Sequence, residues 1–234
     1  MKRTMALAGG LGFVLAGLVG CATGPYGANP KISILGDSYS TFEGAIPKGY
    51  AIYYHKPPKA FHGVEKPEDC WWGIVASNLN GRIERNDSWS GATVCNTGYG
   101  RRDATFCSFV TRTGRLGDPD LILVMGGTND AWAGSPIGEY KYEDWTERDF
   151  KTFRPAMAKM FADLAKNYPK AKVVFILNTG LGKGINDSAH EICKHYGVKC
   201  IDLKKFDLQK EHRGHPTAKG MKEIAAQVTA ELGM

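Results

Sequence analysis

The sequence lacks the features that mark several classes of protein. Its 30 Lys and Arg residues are scattered among 24 Asp and Glu, with no long basic block, so nothing favours a nucleic-acid groove. No apolar run reaches the roughly 20 residues that a membrane-spanning helix needs. The absence of internal repeats and low-complexity segments argues against repeat architectures. With 43% hydrophobic residues among 234, the chain has enough apolar material for one sizeable globular domain.

The first twenty residues have the pattern of an export signal. A basic Lys-Arg pair at positions 2 and 3 precedes an apolar stretch over 5–19. That stretch is too short and too often interrupted by glycine to span a membrane well. We therefore expect an exported protein whose signal peptide covers residues 1–20.

The apolar stretch ends in Leu-Val-Gly-Cys at positions 18–21, which resembles a bacterial lipobox. In such proteins the Cys becomes the lipidated first residue of the mature chain, so Cys21 is the expected lipidation site. An ordinary signal peptide with an incidental Cys is the alternative. By the same resemblance, Ala22 fits an outer-membrane destination in a Gram-negative cell. The expected organisation is a tether over 21–30 and one domain over 31–234, held at the cell envelope through the lipid alone.

The remaining cysteines give no clear disulfide framework. With Cys21 assigned to lipidation their number is odd, so at least one thiol stays free even in an oxidising compartment. Cys95 with Cys107, and Cys193 with Cys200, have the loop lengths to consider first. Buried free thiols are an equally acceptable interpretation.

A metal site is not expected, although His190, Cys193, His195 and Cys200 cluster in the sequence. Their spacing matches no common zinc pattern, and positions 190, 193 and 195 cannot all project from one face of a helix. The sequence therefore predicts no metal and no other cofactor.

From residue 31 onwards, apolar strand-like runs alternate with helical stretches. Strands are expected over 31–35, 82–86, 121–125, 172–177 and 199–203. Helices are expected over 71–79, 150–167, 187–196 and 217–232. This alternation predicts an α/β fold with a mostly parallel sheet and helices on both faces.

Gly36, Asp37 and Ser38 directly follow the first predicted strand. Open α/β sheets place their ligands at the carboxyl ends of the strands, so a serine just past this turn presents its hydroxyl at that edge. By itself the tripeptide is a weak signal, since an Asp or Ser that caps a helix gives the same pattern.

Three later residues could complete a serine-based site. A serine hydroxyl is a poor nucleophile near neutral pH and needs a base and oxyanion donors. His215 precedes the last predicted helix, Asn129 follows the third strand and Gly91 follows the second. Each alone is also explained as a turn former or a surface residue, so their order along the chain is the informative feature.

That order strongly resembles the SGNH (GDSL) hydrolase family. Gly36-Asp-Ser38, Gly91, Gly127-Thr-Asn-Asp130 and Gly214-His-Pro216 stand in family order, and the Gly-x-Asn-Asp element after a buried strand is the most specific. The resemblance covers the chain from residue 31 to the last helix. It implies a flavodoxin-like three-layer α/β/α sandwich with a central parallel sheet of about five strands.

The resemblance also implies a carboxylic ester hydrolase that works through an acyl-enzyme. Ser38 would be the nucleophile, and His215 the base that takes its proton and returns it to the leaving alcohol. The backbone N–H groups of Ser38 and Gly91 and the side-chain amide of Asn129 would form the oxyanion hole. Candidates for substrate binding lie beside these motifs: Asp37, Tyr39, Trp89, Asp130 and Trp132.

One position departs from the family pattern. His212 stands where the family usually has the Asp that orients the catalytic imidazole, and it cannot play that part as an anion. Glu211, Asp207 or Asp202 could supply a carboxylate as third member of a triad. Alternatively, a backbone carbonyl could orient His215 and leave a Ser-His dyad, and the sequence leaves these options open.

The expected substrate is an O-acylated carbohydrate, with release of O-acetyl groups. The segments 41–70 and 131–147 are rich in aromatic side chains suited to stacking on sugar rings: Tyr53, Tyr54, Trp132, Tyr140 and Trp145. A lipase, lysophospholipase or thioesterase of the same family is one alternative, and would need a long apolar acyl channel. A surface glycan-binding lipoprotein with impaired catalysis is the alternative from another class.

Overall fold

A computed structural model describes residues 25–60, 62–209 and 214–233. The expected signal peptide, the lipidation site Cys21, and both Glu211 and His212 lie outside the described residues. Within the described ranges, no helix is both long enough and apolar enough to cross a bilayer.

The described chain forms a parallel sheet of five strands. They are Lys31–Gly36 (β1), Arg82–Ser88 (β2), Leu121–Gly126 (β3), Lys172–Leu177 (β4) and Lys199–Asp202 (β5). The spatial order is β2-β1-β3-β4-β5, and every neighbouring pair is parallel. Because the chain first moves from β1 to one side and then returns to the other, a crevice opens at the carboxyl ends of β1 and β3.

Helices cover both faces of this sheet, which confirms the predicted three-layer α/β/α sandwich. They are Trp71–Asn78 (α1), Phe109–Arg112 (α2), Thr128–Ala133 (α3), Phe153–Asn167 (α4), Lys183–Tyr196 (α5) and Ala218–Glu231 (α6). The core on one face contains α1 and α6, and the core on the other contains α2, α4 and α5.

Strand β3 shows why the strands of the sheet can be predicted from the sequence. All six of its residues are buried. Leu121, Leu123 and Met125 pack into the core beneath α1 and α6, whereas Ile122 and Val124 pack into the opposite core. A strand covered on both faces is a continuous apolar run rather than an alternating one.

The element boundaries agree with the predicted strands to within two residues and differ more at the helices. Helix α5 begins at Lys183, four residues before the predicted start, and α4 begins at Phe153 instead of residue 150. A separate 3-10 turn, Asp149–Lys151, and the extended residue Thr152 account for the later start of α4. Helices α2 and α3 were not predicted.

The five cysteines of the described chain are free thiols. Cys70, Cys95, Cys107 and Cys193 are buried, and Cys200 is partly exposed. The structure therefore has neither of the two disulfides considered from the sequence and corresponds to the buried-thiol interpretation.

Candidate active site

Ser38 lies directly beyond β1, at the carboxyl edge of the sheet. It opens a 3-10 turn, Ser38–Ser40, and the Asp37 carboxylate before it accepts the Tyr39 N–H at 3.0 Å. The Thr41 hydroxyl donates to the Ser38 carbonyl at 3.1 Å, which fixes the turn from its other end. The Ser38 residue is only 4% exposed, so its hydroxyl is shielded from bulk water.

His215 meets Ser38 across the crevice. Its Nε2 lies 2.8 Å from Ser38 Oγ, within hydrogen-bond distance. Three consecutive carbonyls of its turn, 214–216, accept hydrogen bonds from the Tyr39 hydroxyl, the Gln209 N–H and the Tyr54 hydroxyl at 2.5–3.0 Å. The turn before α6 is thus held to the nucleophile turn and to the long loop after it.

Aromatic rings surround the His215 imidazole. Tyr53 stacks on it with a centroid separation of 3.5 Å and an interplanar angle of 10°. Tyr39 lies at 5.2 Å in a tilted arrangement, and Trp132 meets it edge-on at 6.2 Å. These contacts restrict the plane of the imidazole.

Asn129 lies in the first turn of α3. The helix starts directly after Gly127, whose φ of +90° makes the bend from β3 into the helix. Its Nδ2 donates to the Ala92 carbonyl at 2.9 Å, and the Tyr99 hydroxyl donates to its Oδ1 at 2.7 Å. Because a carbonyl can only accept, the amide is held with its nitrogen towards Ala92. The second N–H of that nitrogen remains for a developing oxyanion.

Gly91 lies in the turn after β2 with a φ of +83°, and a Cβ at this position would meet open space. Glycine is therefore favoured here by backbone conformation rather than by crowding. The next residue, Ala92, holds the Asn129 amide, so the Gly91 backbone and the Asn129 side chain are parts of one bonded unit.

Three of the residues expected to contact substrate are buried. Asp37, Tyr39 and Asp130 are each about 1% exposed. Asp37 binds the backbone of the nucleophile turn, and Tyr39 binds the carbonyl of Gly214. Each of these side chains helps to hold the turns together, and its contact with substrate stays a prediction.

Asp130 braces the loop that follows β2. Its two carboxylate oxygens accept the backbone N–H groups of Val94 and Cys95 at 2.8 and 3.2 Å. Burial raises the pKa of Asp130 to about 6, opposed by those N–H donors. Burial likewise raises the pKa of Asp37 to about 7, and the nearby Asp130 carboxylate adds to the increase.

The two tryptophans proposed for substrate binding differ in exposure. Trp132 is 45% exposed beside His215. Trp89 is partly buried, and its ring contacts Tyr50 at 4.3 Å and the exposed Phe106 at 5.6 Å. Trp132 is therefore the more accessible of the two rings.

Two of the candidate carboxylates for the third triad position, Asp207 and Asp202, have other hydrogen-bond partners. The Asp207 carboxylate accepts a hydrogen bond from the Thr217 hydroxyl at the start of α6. The Asp202 carboxylate lies 2.8 Å from His190 Nε2. Each contact uses one oxygen of the carboxylate, so the third member of the triad stays a prediction, and Glu211 lies outside the described residues.

Two residues of the site were not assigned these roles from the sequence. Tyr99 lies in a connection without a clear period, and Tyr53 was noted only as one of the loop aromatics. Their contacts join residues that are 30 and 162 positions apart, so no local pattern could have revealed them.

Two solved structures are 45% identical to this chain. A candidate GDSL-like lipase from Bacteroides ovatus ATCC 8483 matches with a TM-score of 0.84 over 88% of this chain and 98% of that chain. A second, from Bacteroides uniformis ATCC 8492, gives 0.82 over 87% and 95%. Both likenesses extend over nearly the whole described domain.

A more distant structure, an acetyl xylan esterase from the rumen bacterium Butyrivibrio proteoclasticus, is 17% identical with a TM-score of 0.56 over 88% of this chain and 63% of that chain. It shows the same fold. Comparison with curated proteins gives no match.

A model of the GDSL-like lipase/acylhydrolase family matches residues 30–232. The chain therefore belongs to the GDSL-like lipase/acylhydrolase family of carboxylic ester hydrolases.

Proposed function

We propose that this protein is a serine esterase that removes O-acetyl groups from carbohydrate. The observation that carries the proposal is the 2.8 Å contact between Ser38 Oγ and His215 Nε2, beside the half-exposed ring of Trp132. The contact supplies an activated nucleophile, and the ring supplies a surface on which a sugar can stack.

In the acylation half-reaction, the Ser38 hydroxyl transfers its proton to His215 Nε2 while its oxygen attacks the ester carbonyl carbon. The carbonyl oxygen becomes an oxyanion, which accepts hydrogen bonds from the backbone N–H groups of Ser38 and Gly91 and from Asn129 Nδ2. The tetrahedral adduct then expels the sugar hydroxyl oxygen, and the His215 imidazolium returns the proton to it. Ser38 is left as an acetyl ester.

In the deacylation half-reaction, water replaces the sugar alcohol. His215 Nε2 takes a proton from the water as its oxygen attacks the acetyl carbonyl, and the same three donors stabilise the second oxyanion. Collapse of this adduct breaks the bond to Ser38 Oγ, which regains its proton from His215. The products are acetate and free enzyme.

Aromatic rings near the site favour a carbohydrate substrate. Trp132 lies next to the base, and Trp89 and the exposed Phe106 form a second aromatic pair. Flat exposed rings suit pyranose faces, whereas an acyl chain requires an enclosed apolar channel. The acetyl xylan esterase with the same fold is in keeping with this substrate class.

We further propose that the protein is exported and anchored by a lipid at Cys21, from the lipobox-like sequence at 18–21. A glycan substrate at the cell surface is compatible with that location. Expression of the full chain with Cys21→Ala in a Gram-negative host should move the protein from the membrane fraction to the soluble one. An unchanged distribution would refute the lipid anchor.

The substrate proposal is tested by comparing rates on acetylated xylo-oligosaccharides, an aryl acetate and a long-chain aryl ester. The expected order places the acetylated oligosaccharide first and the long-chain ester last. Trp132→Ala should raise KM for the oligosaccharide while leaving the aryl acetate rate nearly unchanged, since only the sugar uses the ring. Faster hydrolysis of the long-chain ester would favour a lipase, and an absence of turnover on all three would favour the binding protein.

A further inference from the structure

Three metal-binding side chains, His190, Cys200 and Asp202, meet where α5 packs against β5, and Cys193 lies on the same helix as His190. His190 and Cys193 are three residues apart on α5, so both lie on one face of that helix. Cys200 and Asp202 are two residues apart on β5 and therefore point to one face of the sheet. The two pairs belong to different elements, and the packing of α5 on the edge strand brings them together.

The distances within this group are short. His190 Nε2 and Asp202 Oδ1 lie 2.8 Å apart. The ligand atoms of His190, Cys200 and Asp202 all lie within 4.8 Å of one another. Cys193 is not one of these three, and the neighbouring Cys200 thiol together with burial raises the pKa of its thiol.

We propose that His190, Cys200 and Asp202 bind a divalent metal ion of the zinc type, and that the Cys193 side chain turns towards the ion to complete a tetrahedral set of ligands. Two thiolates, one imidazole nitrogen and one carboxylate oxygen are the donors that Zn²⁺ prefers in four-coordinate sites. Binding requires both thiols to lose their protons to solvent and His190 to be neutral, with its proton on Nδ1. The existing contact between His190 Nε2 and Asp202 already points this nitrogen into the group.

The residues of the site differ in their exposure to solvent. Cys193 is 1% exposed and Cys200 is partly exposed. The side chains of His190 and Asp202 are 50% and 62% exposed. A metal ion can therefore arrive from solvent at the imidazole and carboxylate and reach the thiolates behind them.

The sequence argued against a metal because His195 was grouped with His190 and the cysteines, and positions 190, 193 and 195 cannot share one face of a helix. His195 stacks on Tyr142 at a centroid distance of 3.7 Å, away from the thiols. Asp202, which has no place in a Cys/His spacing pattern, fills the fourth position instead. The site is independent of the proposed esterase chemistry, and it would join the four-residue edge strand β5 to α5.

The test uses the mature protein, reduced and freed of metal. Titration with Co²⁺ should give the charge-transfer and visible bands of a tetrahedral site with thiolate ligands, saturating at one equivalent. Competition with a chromophoric chelator then measures Zn²⁺ affinity. His190→Ala and Cys200→Ser should each weaken Zn²⁺ binding by more than about 100-fold, since losing even the hydrogen-bond partner of a ligand costs about 10- to 100-fold.

Two variants serve as matched controls. His195→Ala removes a histidine from the same helix, and Cys70→Ser removes a buried thiol elsewhere; both should bind Zn²⁺ as the unmodified protein does. Because His190 is exposed, its substitution leaves the fold intact even if a Cys193 variant fails to fold. Thermal unfolding should show an increase in Tm with Zn²⁺ for the unmodified protein but not for His190→Ala.

Three results would overturn the proposal. The first is an absence of thiolate-to-metal bands with Co²⁺, and the second is equal Zn²⁺ affinity in the His190 and His195 variants. The third is a Cys193–Cys200 disulfide found by mass spectrometry in protein isolated without reductant, since the disulfide would consume both thiolate ligands.

Discussion

The Tyr99 hydroxyl helps to orient the Asn129 amide. Substitutions at the two residues should therefore lower activity to different degrees. Asn129→Ala should lower kcat by about 100- to 1,000-fold, because it removes an oxyanion donor. Tyr99→Phe removes only the hydrogen bond that holds Oδ1 and should lower kcat by about 2- to 10-fold. Steady-state kinetics with an aryl acetate measure both.

KM should change little in either variant, because the oxyanion forms only in the transition state. Asn129→Asp, which keeps the size of the side chain but adds a negative charge beside the oxyanion, should be as impaired as Asn129→Ala. A loss of less than about tenfold for Asn129→Ala would contradict its assignment to the oxyanion hole.

The Tyr53 ring lies flat on His215, so it faces the charge that forms when the imidazole takes the serine proton. An aromatic face stabilises such a cation by about 0.5 to 2 kcal/mol. Tyr53→Leu should therefore reduce kcat by roughly 2- to 30-fold, whereas Tyr53→Phe keeps the ring and most of the activity.

The pH profile separates this effect from a purely structural one. Loss of the ring face destabilises the imidazolium, so the acid limb of kcat/KM should move to lower pH in Tyr53→Leu relative to Tyr53→Phe. Leucine and phenylalanine at position 53 both exclude water, but only phenylalanine has a π face. Superimposable profiles in the two variants would argue against the electrostatic role.

At the level of elements, Arg112 ties α2 to the strand ends beneath the site. Its guanidinium is fully buried, lies 3.0 Å from the Asp87 carboxylate at the end of β2 and donates to the Gly36 carbonyl at the end of β1. Burial lowers its pKa, and the Asp87 carboxylate opposes that change. The pair therefore fixes two strand ends to one short helix.

Arg112→Ala should lower the free energy of unfolding by about 3 to 5 kcal/mol, because it leaves Asp87 buried and unpaired. The double variant Arg112→Met with Asp87→Leu should cost less than the single one, since no charge then remains in the core. Urea unfolding monitored by circular dichroism measures the difference. Equal or greater loss in the double variant would show that packing, and not the unpaired charge, dominates.

The nucleophile turn should make stability depend on pH through Asp37. Burial raises the pKa of this carboxyl from 3.8 to about 7, and its Oδ2 has no hydrogen-bond partner in the described part of the chain. The folded state thus holds a proton that the unfolded chain releases above pH 4. The resulting stabilisation is complete below pH 4 and is lost as the pH rises through 7.

Asp37→Asn cannot ionise, so its stability relative to the unmodified protein should increase from pH 5 to pH 8, by at most about 1.4 kcal/mol per pH unit. Urea unfolding at several pH values measures this difference. If the two proteins change in parallel over this range, Asp37 is ionised throughout and the assignment fails.

The elements differ in how much of them the sequence could predict. Strands such as β3 and β4 are buried on both faces, so their apolar runs were visible in the sequence. Helices α2 and α3 have four and six residues, too few to show a helical period. The bends that start them depend on positions such as Gly127, whose conformation a sequence pattern alone does not give.

The residues of the site divide in a similar way. Ser38, Gly91, Asn129 and His215 each belong to a local motif at a strand end or a helix start, and the structure brings Ser38 and His215 into contact. Asp37, Tyr39 and Asp130 stand beside those motifs but are buried, because the turns need their side chains as hydrogen-bond partners. Adjacency in sequence therefore located the site without showing which side chains face the substrate.

For the whole molecule, the central claim is that Ser38 carries the acetyl group from a sugar to water. The most direct measurement is rapid quenching of the protein during turnover of an acetylated oligosaccharide, followed by mass spectrometry of its peptides. We predict one acetyl group on the peptide that contains Ser38, acetate release in the unmodified protein, and neither in a folded Ser38→Ala variant. Undiminished acetate release by Ser38→Ala would contradict the account.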